Sequence, residues 1–372
     1  MTSSQAIDPH MRAALELAAQ ARAICAPNPA VGCVIVDAGG ALLGRGHTQA
    51  AGQAHAEVMA LRDAAAGGRA VRGATAYVTL EPCAHQGRTG PCCDALIDAG
   101  IGKVVAALQD PNPRVAGQGF ARLRAAGVEV AVGMGAHDAR ELNIGFFSRM
   151  VRGTPWVRLK AAASLDGRTA LPDGQSQWIT SPAARADGHA WRLRACAVLT
   201  GIGTVLHDDP RLDARLPNVT RQPDLVLLDS QLRTPAAARL WEVAARRVLV
   251  CTAVQDAARH KAITGRGAQV IALPDARGQV DLPALLRELA RREVNEVHVE
   301  AGARLNGALL RAGLVDELLL YQAPVLLGEG APLAAIGTLA ALGDGPRFEW
   351  HQVRRVGADL RLLARPPGRA DF

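Results

Sequence analysis

The chain has 372 residues, 49% of them hydrophobic and only 3% aromatic, with a formal charge of +7 carried almost wholly by arginine. That length predicts two domains with cores built from Ala, Leu and Val, and the charge favours anionic partners unless it only solvates a basic surface. Seven unevenly spread cysteines exclude a secreted disulfide scaffold, Asp8, Arg12 and Glu16 interrupt any early signal-like run, and charges within 314–342 break the richest apolar stretch, so a soluble cytoplasmic protein is expected.

Met11–Ile24 reads as a helix that Pro27-Asn28-Pro29 stops, and Val31–Val36 as a short buried strand. A helix is predicted over His55–Ala66, with Val58, Met59, Leu61 and Ala65 as its inward face. Thr75–Leu80 follows as a strand and Cys92–Ala99 as a helix closed by Gly100. Val104–Leu108 and Val128–Val132 complete a β-α alternation, so the first half reads as a sheet layered with helices. The segment 148–155 lacks periodicity, and the domain boundary is set there, giving 1–149 and 150–372. In the second half, strands are predicted at Trp156–Ala161, Ala197–Leu199, Leu225–Leu228, Val248–Cys251, Val270–Leu273, Val297–Val299 and Leu318–Tyr321. Helices such as Leu282–Arg292 and Leu305–Ala312 fall between them. This alternation predicts an α/β fold with a largely parallel sheet covered on both faces.

His55-Ala56-Glu57, Pro82-Cys83 and Pro91-Cys92 carry the strongest chemical signal. One imidazole and two thiols make a three-ligand zinc site, whose open fourth position marks a catalytic zinc. Glu57 is then available to move protons for water in that position, as hydrolytic removal of an amino group from a nucleobase-like ring requires. Helix N-termini near the ligands lower thiol pKa. A structural zinc closed by Cys93 or His85 is the competing reading. Cys93 follows Cys92 on a helix and so projects about 100° away, and a closed site leaves Glu57 without a task. The two ligand cysteines are nine residues apart, unlike the C-x-x-C of nucleobase deaminases. The loop 84–91 between them is rich in hydrogen-bonding and basic groups that can reach a substrate.

Together with Pro27-Asn28-Pro29-Ala30-Val31-Gly32, Gly46-His47 and Glu81-Pro82-Cys83 through Thr89-Gly90-Pro91-Cys92-Cys93, these motifs closely resemble the bifunctional riboflavin-biosynthesis deaminase/reductases. Lys160 through Arg168, Ser176-Gln177-Trp178-Ile179-Thr180-Ser181, Asp208-Asp209-Pro210 and Val299-Glu300-Ala301-Gly302 extend the likeness over nearly the whole chain. The resemblance implies a cytidine-deaminase-like N-terminal domain that converts 2,5-diamino-6-(5-phosphoribosylamino)pyrimidin-4-one to the corresponding uracil. It implies a dihydrofolate-reductase-like C-terminal domain that reduces the ribosyl group to ribityl with NADPH. Zinc then falls to His55, Cys83 and Cys92, and proton transfer to Glu57. Asn28 and His47 are expected to touch the deaminase substrate, against turn chemistry for Asn28 and an exposed imidazole for His47.

By the same resemblance NADPH is held by Ala162, Trp178, Thr204, Asp208, Ser230 and the turn Gly302, Ala303, Arg304, Leu305, Asn306, Gly307 and Ala308. Read alone, this glycine-bearing strand-to-helix turn lets N–H groups approach phosphate but matches no dinucleotide fingerprint, and Trp178 suits core packing nearly as well. Substrate is expected to meet Ser176, Arg192, Leu212, Arg215 and Glu300. Arg192 and Arg215 suit a phosphate clamp, against a reading as surface arginines, and Lys160 is available to steady substrate oxygen or developing charge. The expected partners are phosphorylated pyrimidines and further copies of the chain in a homo-oligomer, with no nucleic acid and no membrane. Two rivals remain: a tRNA-type polynucleotide deaminase, for which no aromatic stacking platform is evident, and a binding module with structural zinc.

Overall fold

A computed structural model describes residues 7–84, 90–113, 115–217 and 219–372. Two compact units emerge, Met1–Arg152 and Gly153–Phe372. Among the described residues no helix is long and apolar enough to cross a membrane.

The first unit runs α1 (Pro9–Ala21), β1 (Gly32–Val36), β2 (Leu42–His47), α2 (Ala56–Ala66), β3 (Thr75–Val78), α3 (Cys92–Asp98), β4 (Lys103–Ala106), α4 (Gln118–Ala125), β5 (Glu129–Val132), α5 (Ala136–Leu142) and α6 (Ile144–Arg152). One sheet has the order β2-β1-β3-β4-β5, with β1 antiparallel to both neighbours and the rest parallel. Two close approaches of backbone to backbone set the layers. A Cβ on Gly32 would lie 1.9 Å from the Ala14 carbonyl of α1, and Cβ atoms on Gly44 and Gly46 would lie 2.2 and 2.5 Å from Ala60 backbone atoms of α2. Successive strand residues face opposite ways, so α1 and α2 cover opposite faces.

This contact corrects the predicted face of α2. Ala56, Glu57, Ala60 and Ala64 are buried, whereas Val58, Met59 and Leu61 are half-buried and Ala65 is exposed. A helix seated on glycines turns its smallest side chains inward, against the expectation from hydrophobicity. The aperiodic segment 148–155 is also corrected. Most of it belongs to α6, whose buried residues Ile144, Phe146, Phe147 and Ser148 begin before that window and hide the amphipathic pattern.

The second unit runs β6 (Trp156–Ala163), β7 (Arg168–Ala170), α7 (Pro182–Arg194), β8 (Ala197–Gly201), α8 (Ile202–Asp208), β9 (Asp224–Leu228), β10 (Val248–Thr252), α9 (Ala257–Thr264), β11 (Gln269–Ala272), α10 (Leu282–Arg291), β12 (Glu296–Val299), α11 (Ala303–Arg311), β13 (Glu317–Gln322), β14 (Ala331–Pro332), β15 (Glu349–Val356) and β16 (Asp359–Arg365). The main sheet has the order β11-β10-β9-β8-β12-β6-β13-β16-β15. It is parallel from β11 to β13, as predicted, and ends in the antiparallel pair β16-β15. The unpredicted β15 is exposed along nearly its whole length, so no apolar alternation marks it.

One face of this sheet is apolar, with Val157, Leu159, Leu199, Val297 and Val299 packed against Leu285, Leu286 and Leu289 of α10 and Leu309 of α11. The other face is charged where β12, β6, β13 and β16 meet. Wholly buried Arg158 donates to Glu317, and to Glu296 at 2.7 Å. Arg365 reaches Glu317 at 2.7 Å, and Arg194 of α7 reaches Glu296 at 3.1 Å. The guanidinium carbons of Arg158 and Arg194 lie 4.4 and 4.8 Å from the centre of the Trp191 ring, so α7 docks through cation–π contact. Removing the central cation leaves two buried carboxylates with one arginine each and an emptied volume between them. Arg158→Ala is therefore expected to cost about 3–5 kcal/mol, read as a lowered urea midpoint. Adding Glu317→Gln is expected to restore part of that loss; equal additive losses would contradict the pairing.

Candidate active sites

His55 is the N-cap of α2 and Glu57 lies in its first turn. Cys92 opens α3. The strand expected over Thr75–Leu80 is shorter: β3 ends at Val78, and the chain bends before it reaches Cys83. The buried carboxylate of Glu81 holds that bend. It accepts N–H groups from Asp110 (3.1 Å), Gly117 (2.9 Å), Gly119 (2.9 Å) and Phe120 (3.2 Å), while a Cβ on Gly119 would lie 2.0 Å from the Pro82 carbonyl. Sequence reading assigned Glu81 no role, since its partners lie about thirty to forty residues downstream.

The Nδ1 of His55 lies 3.6 Å from Cys83 Sγ and 3.3 Å from Cys92 Sγ, and the three candidate ligand atoms all lie within 4.8 Å of one another. Donors around one tetrahedral zinc sit roughly 3.3–3.8 Å apart at ordinary bond lengths, so this set fits the ion. The Cys92 N–H donates to Cys83 Sγ at 3.4 Å, supplying the helix N-terminus that a thiolate favours. The Cys92 thiol also donates to Cys83, and Cys83 falls to about 4 while its partner rises. The Cys93 thiol instead meets Asp94 Oδ1 at 3.7 Å and lies outside the cluster. His85 and residues 86–89 of the connecting loop lie outside the described residues. Glu57 is buried, and burial chiefly, with the Cys83 charge, pushes its carboxyl up to about 7.

Asn28 occupies the turn after α1, its N–H bonded to the Cys25 carbonyl at 2.9 Å. His47 is half-buried and pairs with Gly32, so it belongs to the face that α1 covers; its Nδ1 lies 3.1 Å from the Thr48 carbonyl.

In the second unit two glycine turns emerge side by side, because β8 and β12 are parallel neighbours. The Thr200 hydroxyl ties them by donating to the Glu300 carbonyl at 2.7 Å. Side chains added at Gly203 or Gly302 would meet nothing within 4 Å. That open space beside two helix starts suits a phosphate-bearing cofactor. Within 302–308, Gly302 and Arg304 are exposed. Asn306 donates to the Leu333 carbonyl at 2.9 Å, and a Cβ on Gly307 would lie 2.1 Å from the Ala335 carbonyl, so both are engaged by the chain itself. Leu305 packs towards Gly201, and Ala303 and Ala308 are half-buried. Thr204 is half-buried in α8, Asp208 is its exposed last residue, and Ala162 is half-buried on β6. The Ser230 hydroxyl accepts the Val280 N–H at 3.2 Å. Trp178 is 65% exposed, which overturns core packing; Arg185 lies over its ring at 4.4 Å. Ser176 is half-buried in the segment before α7.

Glu300 gathers the polar groups at the end of β12. Arg192 forks onto it through Nε at 2.6 Å and Nη2 at 2.8 Å, Lys160 Nζ lies at 3.8 Å, and His298 Nε2 at 3.4 Å. Arg192 foremost, then Lys160, hold this half-buried carboxyl well below its ordinary range. Arg192, with a side chain only 11% exposed, is therefore not the simple surface cation that composition allows, whereas Arg215 is exposed. Arg192 also donates to the Asp213 carbonyl, and Arg215 pairs with the Asp213 carboxylate at 2.6 Å. Leu212 is buried in the apolar core with a left-handed φ of 55°, and its carbonyl accepts Arg246 Nη1 at 3.0 Å.

Residues 4–108 match the model of the cytidine and deoxycytidylate deaminase zinc-binding region, and residues 155–362 match that of the RibD C-terminal domain. The riboflavin biosynthesis protein RibD of Escherichia coli is 46% identical, the alignment covering 95% of this chain and 97% of that protein. A solved structure of Acinetobacter baumannii RibD superposes with a TM-score of 0.87 at 42% identity, covering 96% and 98%. A Thermotoga maritima structure described as a diaminohydroxyphosphoribosylaminopyrimidine deaminase/5-amino-6-(5-phosphoribosylamino)uracil reductase gives 0.86 at 33%, covering 96% and 97%. Neither a polynucleotide deaminase nor a structural-zinc module is favoured by this pattern. With a three-donor zinc centre in one unit and a reductase fold in the other, the chain belongs to the RibD family, bifunctional zinc-dependent deaminases and NADPH-dependent reductases of riboflavin biosynthesis.

Proposed function

We propose that this chain deaminates 2,5-diamino-6-(5-phosphoribosylamino)pyrimidin-4-one to 5-amino-6-(5-phosphoribosylamino)uracil, then reduces the ribosyl group of that product to ribityl. The activities divide between 1–149 and 150–372, close to the limits of the two compact units. The observation that carries the reading is the convergence of His55, Cys83 and Cys92 within 4.8 Å beside buried Glu57.

In the deaminase half, His55, Cys83 and Cys92 would hold zinc, which when bound supplies Lewis acidity for activating water. Glu57 then serves as the proton carrier: it takes a proton as the ring carbon is attacked and returns it to the departing ammonia. A carboxyl raised to about 7 is suited to both directions near neutral pH. Asn28 and His47 are assigned to substrate contact. In the reductase half, NADPH supplies the hydride. Its phosphates and sugars are assigned to Thr204, Asp208, Ser230 and the turn 302–308, and its flat surfaces to Ala162 and Trp178. Ser176, Leu212, Arg192, Arg215 and Glu300 bind and orient the phosphorylated substrate, with Lys160 beside the reacting sugar. Seven cysteines outside any disulfide, two of them in the metal centre, fit a reducing cytoplasm.

Glu57→Ala is expected to lower deaminase turnover at least about 10²–10⁴-fold while zinc content, read by atomic emission, and NADPH oxidation persist. Loss of zinc in that variant would favour a structural metal instead. Chelation is expected to stop ammonia release and spare NADPH oxidation when the deaminated intermediate is supplied. Loss of both activities would mean that zinc supports the second unit as well.

A further inference from the structure

All three guanidinium nitrogens of Arg192 are committed: Nε and Nη2 to Glu300, Nη1 to the Asp213 carbonyl. A guanidinium forked onto a carboxylate has no second fork for a phosphate. If Arg192 binds the substrate phosphate, as the reading above has it, the Arg192–Glu300 pair must open. Opening it leaves a carboxylate whose side chain is only 14% exposed short of donors, which is costly unless others replace them.

The replacement stands two residues earlier on β12. His298 is wholly buried, and its alternation along the strand puts it on the same sheet face as Glu296 and Glu300. Its cross-strand neighbours are Arg158 on β6 and Val198 on β8. Arg158 gives Nε to Glu317 and Nη1 to Glu296, while its Nη2 has no hydrogen-bond partner among the described residues, so no bond ties it to the imidazole. Neither ring nitrogen of His298 has a hydrogen-bond partner among the described residues. Its Nε2 nevertheless lies 3.4 Å from Glu300 Oε1, beyond the ordinary N–H···O range. A buried imidazole without a bond is expensive, and such a group calls for a reason.

We propose that His298 is a positioning residue for the reductase: when the substrate phosphate draws Arg192 away, the His298 Nε2–H closes onto Glu300 and, with Lys160, keeps that carboxylate anchored and aimed at the sugar. The exchange conserves pairing. Arg192 passes from carboxylate to phosphate, and Glu300 passes from the guanidinium to an imidazole donor and an ammonium. This inference rests on the assignment of Arg192 to the phosphate, so the experiment separates the two.

KM and kcat for NADPH oxidation are measured with 5-amino-6-(5-phosphoribosylamino)uracil and with its dephosphorylated form, on the full chain. His298→Leu is expected to raise KM for the phosphorylated substrate about tenfold, the scale of one hydrogen bond to a charged group. KM for the dephosphorylated form, and deamination, stay unchanged. His298→Gln, whose amide N–H lies close to the Nε2 position, is expected to recover most of the loss. An equal rise for both substrates, or no rise in folded protein, overturns the proposal. If the leucine variant does not accumulate, His298→Asn, whose shorter amide stops short of Glu300, replaces it under the same criteria. Arg192→Ala is the control: failure to discriminate between the two substrates removes the phosphate assignment itself. Discrimination by Arg192 without discrimination by His298 removes only the inference about His298.

Discussion

A charge taken out of water must find a partner or give up its proton, and both halves of this chain are arranged around that requirement. In the first unit, Cys83 accepts the N–H of Cys92, and hydrogen bonding from the Cys92 thiol and His55 lowers its pKa. In the same pocket Glu57, wholly enclosed and beside that sulfur, retains its proton up to about neutrality. One low-dielectric cavity thus makes a thiolate ready for metal and a carboxyl ready to exchange protons. The difference comes from the hydrogen bonds that Cys83 takes from the Cys92 thiol, His55 and the Cys92 N–H, whereas burial dominates at Glu57.

The scaffold that holds these groups depends on small residues. Gly44 and Gly46 let β2 approach α2 closely enough for alanines to fill the interface. That proximity buries the first turn of α2, and with it Glu57. On the opposite side of the centre, Glu81 collects four backbone N–H groups and so fixes the bend leading to Cys83. The metal ligands are thereby positioned by contacts that carry no metal chemistry of their own.

The second unit applies the same requirement over a longer distance. One face of its sheet is an ordinary apolar core, while the other carries a line of paired charges from Glu317 and Arg158 up to Glu300. Buried ion pairs of this kind contribute less to stability than apolar packing of equal volume. Here the line ends where substrate and cofactor are expected, and it orients α7, which supplies Arg192. Charge in this layer therefore serves alignment at the site more than stability.

The His/Cys/Cys cluster, the glutamate beside it and the β-α alternation were legible in the chain itself, because each depends on short-range pattern: His-x-Glu at a helix start, Pro-Cys before a helix, apolar runs of strand length. The family motifs extended that legibility to the reductase half. Strands β2 and β15 escaped because glycine in one and exposure of the other erase the apolar signal. The inward face of α2 escaped because glycines in a neighbouring strand chose it. Arg192 is 108 residues from Glu300, and Glu81 is up to 39 residues from the N–H groups it binds. Only chain folding brings such groups together, since a side chain's partner across a sheet is set by strand order and register rather than by spacing along the backbone. The amino-acid sequence by itself determined which chemistry this protein carries; the tertiary structure decided which charges meet, and so which of them are free to act.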